Sequence, residues 1–223
     1  MNCDSCFRGF KLCASTAATV LLLAQLVAYA QPLASTHYQV DISNSRVYAR
    51  VDAASRLGHT HGVEGRLASG TITPSGVGEL VFDLTTFQAD TAQARQYVGL
   101  DATVPSDARK VTSNMLGADV LAVSRYPRAV YSVTSMRPLD GQAAGQSGRY
   151  QVDGRFTLHG VSQPVQIMAT IESADQSGAL RMRGTFTIRQ TAFGIQPYSA
   201  LAGLARVADS LPIWGDLILY PAR

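Results

Sequence analysis

The stretch RYQVDGRFTLHG, residues 149–160, alternates between apolar and polar side chains over most of its length. Successive side chains of a β-strand point to opposite faces of a sheet, so such a stretch has one apolar face and one polar face. The apolar or small residues are Tyr150, Val152, Gly154, Phe156 and Leu158. This pattern predicts a strand that is buried on one side and exposed to water on the other.

The same alternation recurs along the chain. It is clear in PVQIMATI, residues 164–171, and in ALRMRGTFTIRQ, residues 179–190. Weaker forms occur at residues 38–53, 65–74, 78–87, 128–136 and 211–221. About eight consecutive strands, without the helical intervals that connect parallel strands, favour an all-β fold, an antiparallel barrel or sandwich in one domain. The connection HGVSQP is predicted to end at Pro164, where the next strand begins.

Two stretches break the alternation. Residues 106–127 place Ala108, Val111 and Met115 at helical spacing behind a plausible cap at Ser106, and this pattern ends at Pro127. The Ala/Leu-rich stretch YSALAGLARV, residues 198–207, is a candidate for one further helical turn. We therefore predict one or two short helices that cover an open end or edge of the sheet.

The first thirty residues have the composition of a secretory signal peptide. Arg8 and Lys11 precede the apolar run ATVLLLAQLVA, and AYA, residues 28–30, forms a cleavage site of the A-x-A type. The sequence thus predicts a leader over residues 1–30, a mature barrel domain over residues 31–223, and export to a bacterial periplasm. The apolar run is shorter than the roughly 20 residues that span a bilayer, so no membrane span should remain after cleavage.

The positions of the three cysteines limit the chemistry that is available to the mature protein. Cys3, Cys6 and Cys13 all lie in the predicted leader, so the mature chain would contain none. Disulfides, thiolate nucleophiles and cysteine-ligated metal sites are then excluded from the mature protein.

Composition and motifs also exclude several functions. The formal net charge is only +3 and Lys/Arg clusters are absent, which argues against nucleic-acid binding. The chain has no Gly-x-Ser-x-Gly, no glycine-rich phosphate loop between a strand and a helix, and no paired acidic spacing typical of glycosidases. We therefore predict a protein that is not an enzyme and that needs no cofactor.

The stretch GHTHGVEG, residues 58–65, contains two of the four histidines. On a strand, His59 and His61 would share one face, where they could begin a metal site, supply acid/base chemistry or mark the start of a strand. A metal site needs three or four ligands, so His159 or His37 or a distant carboxylate would have to join them. We favour a strand start near the mouth of the barrel, where both histidines can bind the head group of a ligand without a metal.

Several segments together resemble the YceI-like family of lipid- and polyisoprenoid-binding proteins. VDGRFTLHGVSQPVQI, residues 152–167, is the most specific match. GHTHGVEGRLASGTI, IRQTAFGI and VADSLPIWGDL are similar to further family motifs, in the family's order. The first hairpin departs from the family pattern, with His-Thr-His in place of one histidine and Leu67 in place of phenylalanine. The resemblance implies an extended, lipocalin-like barrel that encloses an apolar pocket, and an exported protein.

The alternation and the resemblance together predict where a ligand binds. A barrel of eight strands is just wide enough to be filled by side chains or to hold one ligand, and both alternatives are open from alternation alone. With the resemblance we expect an isoprenoid or acyl-chain lipid, and we keep a metal-binding protein and a ligand-free stress-response protein as alternatives. Whether the protein is a homodimer is open. The expected lining, besides His59 and His61, is Phe82, Leu84, Val152, Phe156, Leu158, Val165, Ile167, Met182, Phe186 and Ile188.

Overall fold

The computed structural model describes residues 37–73, 75–141, 143, 146–174 and 178–222. The predicted leader and its three cysteines lie outside the described residues. Most of the described chain is β-strand, in two sheets of very different size. The strands are β1 (Tyr38–Val40), β2 (Arg46–Val51), β3 (His61–Ile72), β4 (Gly78–Ala89), β5 (Arg128–Pro138), β6 (Gly148–Leu158), β7 (Val161–Ser173), β8 (Leu180–Arg189), β9 (Ser199–Ala200), β10 (Ala205–Arg206) and β11 (Ser210–Pro221).

The large sheet closes on itself. Strands β2 to β8 pair with their neighbours in chain order, all antiparallel, and β11 pairs with both β8 and β2. Strand β1 lies beside the last residues of β11 and β3, so β1 and β2 share one position in the wall. The prediction of an all-β, lipocalin-like antiparallel barrel of eight strands is therefore confirmed.

The first strand is interrupted, whereas the sequence predicted one strand over residues 38–53. The carboxylate of Asp41 accepts hydrogen bonds from the backbone N–H groups of Ser43 (2.9 Å) and Asn44 (3.1 Å), which holds residues 41–44 in a turn. The hydroxyl of Ser45 then accepts a bond from the N–H of Ile218 on β11 (2.9 Å). These polar side chains accept hydrogen bonds from backbone N–H groups that lose their strand partners where the strand is interrupted.

The hairpin between β6 and β7 is tighter than predicted. His159 (φ 54°) and Gly160 (φ 77°) form a two-residue turn, and β7 begins at Val161, so Pro164 lies inside the strand. Strand β8 pairs with β7 only from Met168 onward. The missing N–H of Pro164 therefore removes no bond to β8, which is why this strand tolerates a proline.

The helices differ from the prediction in their limits. Helix α1 (Ala92–Tyr97), capped by the hydroxyl of Thr91, was not predicted. Helix α2 (Ala108–Leu116) follows Asp107 rather than Ser106, and it ends before Gly117 instead of continuing towards Pro127. Residues 201–203 form one 3₁₀ turn between β9 and β10, in agreement with the expected extra turn. No helix in the described ranges is both long and apolar enough to cross a membrane.

Candidate functional site

The interior of the barrel contains a cavity of about 180 Å³ that opens at one end, and a neighbouring cavity of about 40 Å³. Both are lined by Val47, Phe82 and Phe186, so these three side chains lie between them. For comparison, an apolar protein cavity of about 150 Å³ binds a benzene molecule. Side chains therefore fill only part of this barrel.

The structure brings nine of the ten predicted apolar lining residues to the cavities. The larger cavity is lined by Phe82, Leu84, Phe156, Leu158, Phe186 and Ile188. The smaller one is lined by Phe82, Val152, Ile167, Met182 and Phe186. The tenth, Val165, lines neither cavity and packs, half-buried, against the core. The ten residues do share the inner face that alternation assigned to them, because one face of each strand is buried.

An aromatic cluster forms part of the cavity wall. The ring of Phe156 lies edge-on to the rings of Phe82 (6.2 Å between centroids), Phe186 (5.7 Å) and Phe193 (5.7 Å). Such edge-to-face geometry adds to the free energy gained from burial, and it holds rings in defined positions. The cluster therefore gives the cavity a rigid, apolar surface.

The open end of the larger cavity is partly covered by α2. Its residues Val111, Asn114 and Met115 line the cavity, and the hydroxyl of Thr112 accepts a hydrogen bond from the N–H of Ala89 on β4 (3.0 Å). Sequence reasoning found the helical spacing of Val111 and Met115 but did not assign them to the site. It also missed the apolar lining residues Val47, Ala49, Val51, Val63, Phe87, Ala89, Val120, Leu121, Ala129, Val207, Leu211 and Ile213. The missed residues that lie on strands belong to stretches in which the alternation of apolar and polar residues is weaker.

His61 is the one histidine that lines the cavity. Its Nδ1 lies 2.6 Å from Oδ2 of Asp90, whose other oxygen accepts bonds from Arg95 Nη1 (2.9 Å) and the N–H of Gly62 (3.2 Å). Asp90 has no exposed surface. Burial alone would raise the pKa of its carboxyl, but the hydrogen bonds and the charge of its partners outweigh burial, and the pKa is lowered. Asp90 is thus a buried carboxylate that fixes the orientation of His61.

His59 lies apart from this arrangement, contrary to the expectation that both histidines share a strand face. Strand β3 begins only at His61, and His59 is an exposed residue of the preceding loop that does not line the cavity. His159 lies in the β6–β7 turn, where its ring packs against the ring of Tyr126 (4.5 Å between centroids). Among the described residues, no group of three or more His, Cys, Asp or Glu side chains is placed to hold a metal ion.

The glycines of GHTHGVEG serve close packing on both sides of β3. A Cβ at Gly62 would lie 2.9 Å from the backbone of Ala94, so the missing side chain lets α1 approach the strand. The ring of Phe87 lies directly over Gly65, where any Cβ would overlap it. Glycine is therefore required at both positions, since each lets a neighbouring element approach the strand closely.

No Lys, Arg, Asp or Glu side chain of the described residues lines either cavity. The polar lining of the larger cavity consists of His61, Tyr48, Asn114, Gln190 and Tyr198. All five have a partner: His61 pairs with Asp90, Tyr48 with Gln93, Asn114 with Tyr198, and Gln190 with the carbonyl of Ala208. Nε2 of His61 and the hydroxyl proton of Tyr198 are not used by these bonds. The site can therefore bury an apolar molecule and offer hydrogen bonds to a polar group, but no Lys or Arg of the described residues lines it to bind a phosphate.

The family model of the YceI-like domain matches residues 38–217 of the chain. Among solved structures, a polyisoprenoid-binding domain from Saccharophagus degradans is 17% identical, with a TM-score of 0.57 over 83% of this chain and 98% of that one. BcnA from Burkholderia cenocepacia is also 17% identical, with a TM-score of 0.52 over 80% of this chain and 98% of that one. These likenesses show a common fold. No curated protein matches the chain.

Proposed function

Because the chain belongs to the YceI-like family, we propose that it is an exported binding protein, and not an enzyme, that holds an isoprenoid or another long-chain lipid inside its barrel. The observation that carries this proposal is the apolar, partly open cavity, whose wall contains no Lys, Arg, Asp or Glu side chain of the described residues. A relative of the same fold is described as a polyisoprenoid-binding domain, which supports the same ligand class.

The energetics favour a hydrocarbon chain. Each CH₂ group transferred from water to an apolar site contributes about 0.8 kcal/mol. A molecule whose chain enters the cavity past Phe156 and Phe186 would gain this free energy for each CH₂ group that it buries. No Lys, Arg, Asp or Glu of the described residues lines the wall, so the chain would desolvate none of these side chains. A long unbranched or isoprenoid chain therefore fits better than a compact polar metabolite.

The head group of the proposed ligand is uncharged and accepts or donates hydrogen bonds, as a quinone or an alcohol does. His61 and Tyr198 line the cavity together with other polar groups, and no Lys or Arg of the described residues does so. A diphosphate would bring negative charge into a region that no Lys or Arg of the described residues lines, which is costly. We therefore propose a quinone-like or polyprenol ligand rather than a phosphorylated one.

The test is native mass spectrometry of protein purified from the periplasm without detergent, followed by organic extraction and identification of bound molecules. We expect an isoprenoid or acyl lipid in the wild type. Ala49 lines the cavity from β2, so Ala49→Phe should place a ring in the space for the chain and abolish binding. A matched control, Thr187→Phe, places the same ring at an exposed position of β8 and should leave binding intact.

Equal lipid content in the two variants would show that any bound lipid lies outside the cavity. A wild-type protein without bound lipid that also takes up neither ubiquinone nor a polyprenol from dispersion would contradict the proposed function. Circular dichroism of each variant establishes that loss of binding does not reflect loss of the fold.

A further inference from the structure

Two chain segments border the open end of the cavity. One is residues 52–60, between Val51 and His61, and the other is residues 199–206, between Tyr198 and Val207. All four of these flanking residues line the cavity. We call residues 52–60 and 199–206 the mouth loops. Because Val51 ends β2 and His61 begins β3, and all four flanking residues line the larger cavity, both mouth loops lie beside that cavity at the same end of the barrel.

Hydrogen bonds join the mouth loops into one surface. The hydroxyl of Ser55 donates to the carbonyl of Leu204 (2.7 Å) and accepts from the N–H of Arg206 (2.8 Å). The N–H of Ala54 donates to the carbonyl of Arg206 (2.8 Å). The backbones of the two loops are therefore held together beside the larger cavity.

The mouth loops expose large apolar side chains to solvent. Leu201 is 67% exposed, Leu204 60% and Leu57 53%. Leu201 and its neighbour Ala202 also have left-handed backbone conformations, with φ of 50° and 51°. Non-glycine residues rarely adopt this conformation, and such residues cluster where function requires them. A group of exposed leucines on a rigid surface is typical of an interaction site rather than of ordinary solvent-facing loops.

The same surface carries unbalanced positive charge. Arg56 and Arg206 are exposed, and neither side chain forms a salt bridge within the described part of the chain. The nearby acidic residues are already engaged, since Asp52 pairs with Arg50 (2.7 Å) and Asp209 with Arg189 (3.1 Å). The leucines are thus accompanied by two arginines that are free to bind anions.

We propose that the mouth loops dock on the surface of a lipid bilayer that contains anionic lipids. Exposed leucines insert between the head groups, and arginines bind the negatively charged phosphates beside them. This orientation places the open end of the cavity against the bilayer, so a lipid could pass between membrane and barrel without crossing water. That last step rests on the proposed function, whereas binding to the bilayer does not.

Vesicle co-sedimentation tests the proposal. The probes are vesicles of phosphatidylethanolamine and phosphatidylglycerol, with vesicles of pure phosphatidylcholine for comparison. Every variant is produced with the same N-terminus, established by mass spectrometry. The double variant Leu201→Ser, Leu204→Ser should weaken partitioning roughly tenfold or more, because two apolar side chains no longer insert. The double variant Arg56→Gln, Arg206→Gln should weaken it roughly fivefold per arginine on anionic vesicles only.

The matched control lies at the opposite end of the barrel. Val77 and Leu139 are also exposed, in the loops after β3 and β5, and Val77→Ser with Leu139→Ser should leave partitioning unchanged. The proposal is overturned if the control and the leucine variant behave alike, or if the wild type does not bind anionic vesicles. It is also overturned if the leucine variant changes the molecular mass in light scattering, which would assign the surface to a protein partner.

Lipid content measured by native mass spectrometry separates the two proposals. The leucine and arginine variants should retain the cavity lipid of the wild type, since none of the substituted side chains lines the cavity. Retained lipid with unchanged vesicle binding would overturn only the docking proposal. A lipid-free wild type that still binds vesicles through the mouth loops would overturn only the proposed cargo.

Discussion

At the scale of single residues, the most unusual group is the buried carboxylate of Asp90. It has a left-handed backbone conformation (φ 56°) and no exposed surface, yet its three hydrogen-bond partners keep it ionised. Removing one member of such a buried arrangement is costly because the remaining groups lose their charge partner. Asp90 therefore connects the position of His61 in the cavity wall to the stability of the domain.

We expect Asp90→Asn to lower the free energy of unfolding at neutral pH by about 3 kcal/mol. Asparagine tolerates the left-handed conformation, so the substitution changes the charge more than the backbone. Because folding lowers the pKa of Asp90 below its ordinary value of 3.8, its contribution is present above that pH and is lost as the pH falls through the folded-state value. Urea denaturation at several pH values should show that the free energy of unfolding falls less steeply with acidification in the variant than in the wild type. As a control, Asp119→Asn at an exposed position should leave the pH dependence of the free energy of unfolding as it is in the wild type.

At the scale of elements, alternation identified the barrel strands because one face of each is buried and the other is wet. The interruption at residues 41–45 was not predicted, because the four consecutive polar residues SNSR, residues 43–46, form only a short break before alternation resumes at Val47. Helix α1 has only six residues, too few for a helical period to stand out. The contact between His61 and Asp90 joins residues of different strands and turns, and nothing in one sequence specifies that pairing.

The cap of α1 can be tested directly. The hydroxyl of Thr91 accepts from the N–H of Ala94 (3.0 Å) and donates to Oε1 of Glu64 (2.7 Å). We expect Thr91→Ala to destabilise the protein by about 1–2 kcal/mol, measured by thermal or chemical denaturation. Thr91→Ser keeps the hydroxyl and should restore most of the stability. If serine and alanine are equally destabilising, the lost methyl group rather than the cap explains the effect.

At the scale of the whole molecule, fold and family followed from the sequence, but the cavity did not. Alternation places side chains on the inner face without stating whether they fill the space, and Val165 shows that an inward pattern does not guarantee contact with the cavity. The entrance also depends on α2 and the mouth loops, whose positions result from tertiary packing. Export remains a prediction from residues 1–30, which lie outside the described part of the chain.

That prediction has a simple measurement. Protein recovered from the periplasm should begin at or near Gln31, because the basic start, the apolar run and the A-x-A site together direct cleavage there. N-terminal sequencing or intact mass determines the first residue. Replacing Ala30 with arginine should block cleavage and leave the precursor in the membrane fraction. Folded periplasmic protein that retains Met1 would be inconsistent with a cleaved leader and with a cysteine-free mature chain.

Closure of the barrel by its last strand has a consequence for folding. Strand β11 pairs with β1, β2 and β8, so it joins the two ends of the sheet. Loop-closure entropy opposes contacts between distant parts of a chain, and proteins rich in such contacts fold slowly. Until β11 is available, β2 and β8 are open sheet edges that can pair with other chains. We therefore expect the nascent chain to be prone to aggregation until its final twelve-residue strand has been synthesised.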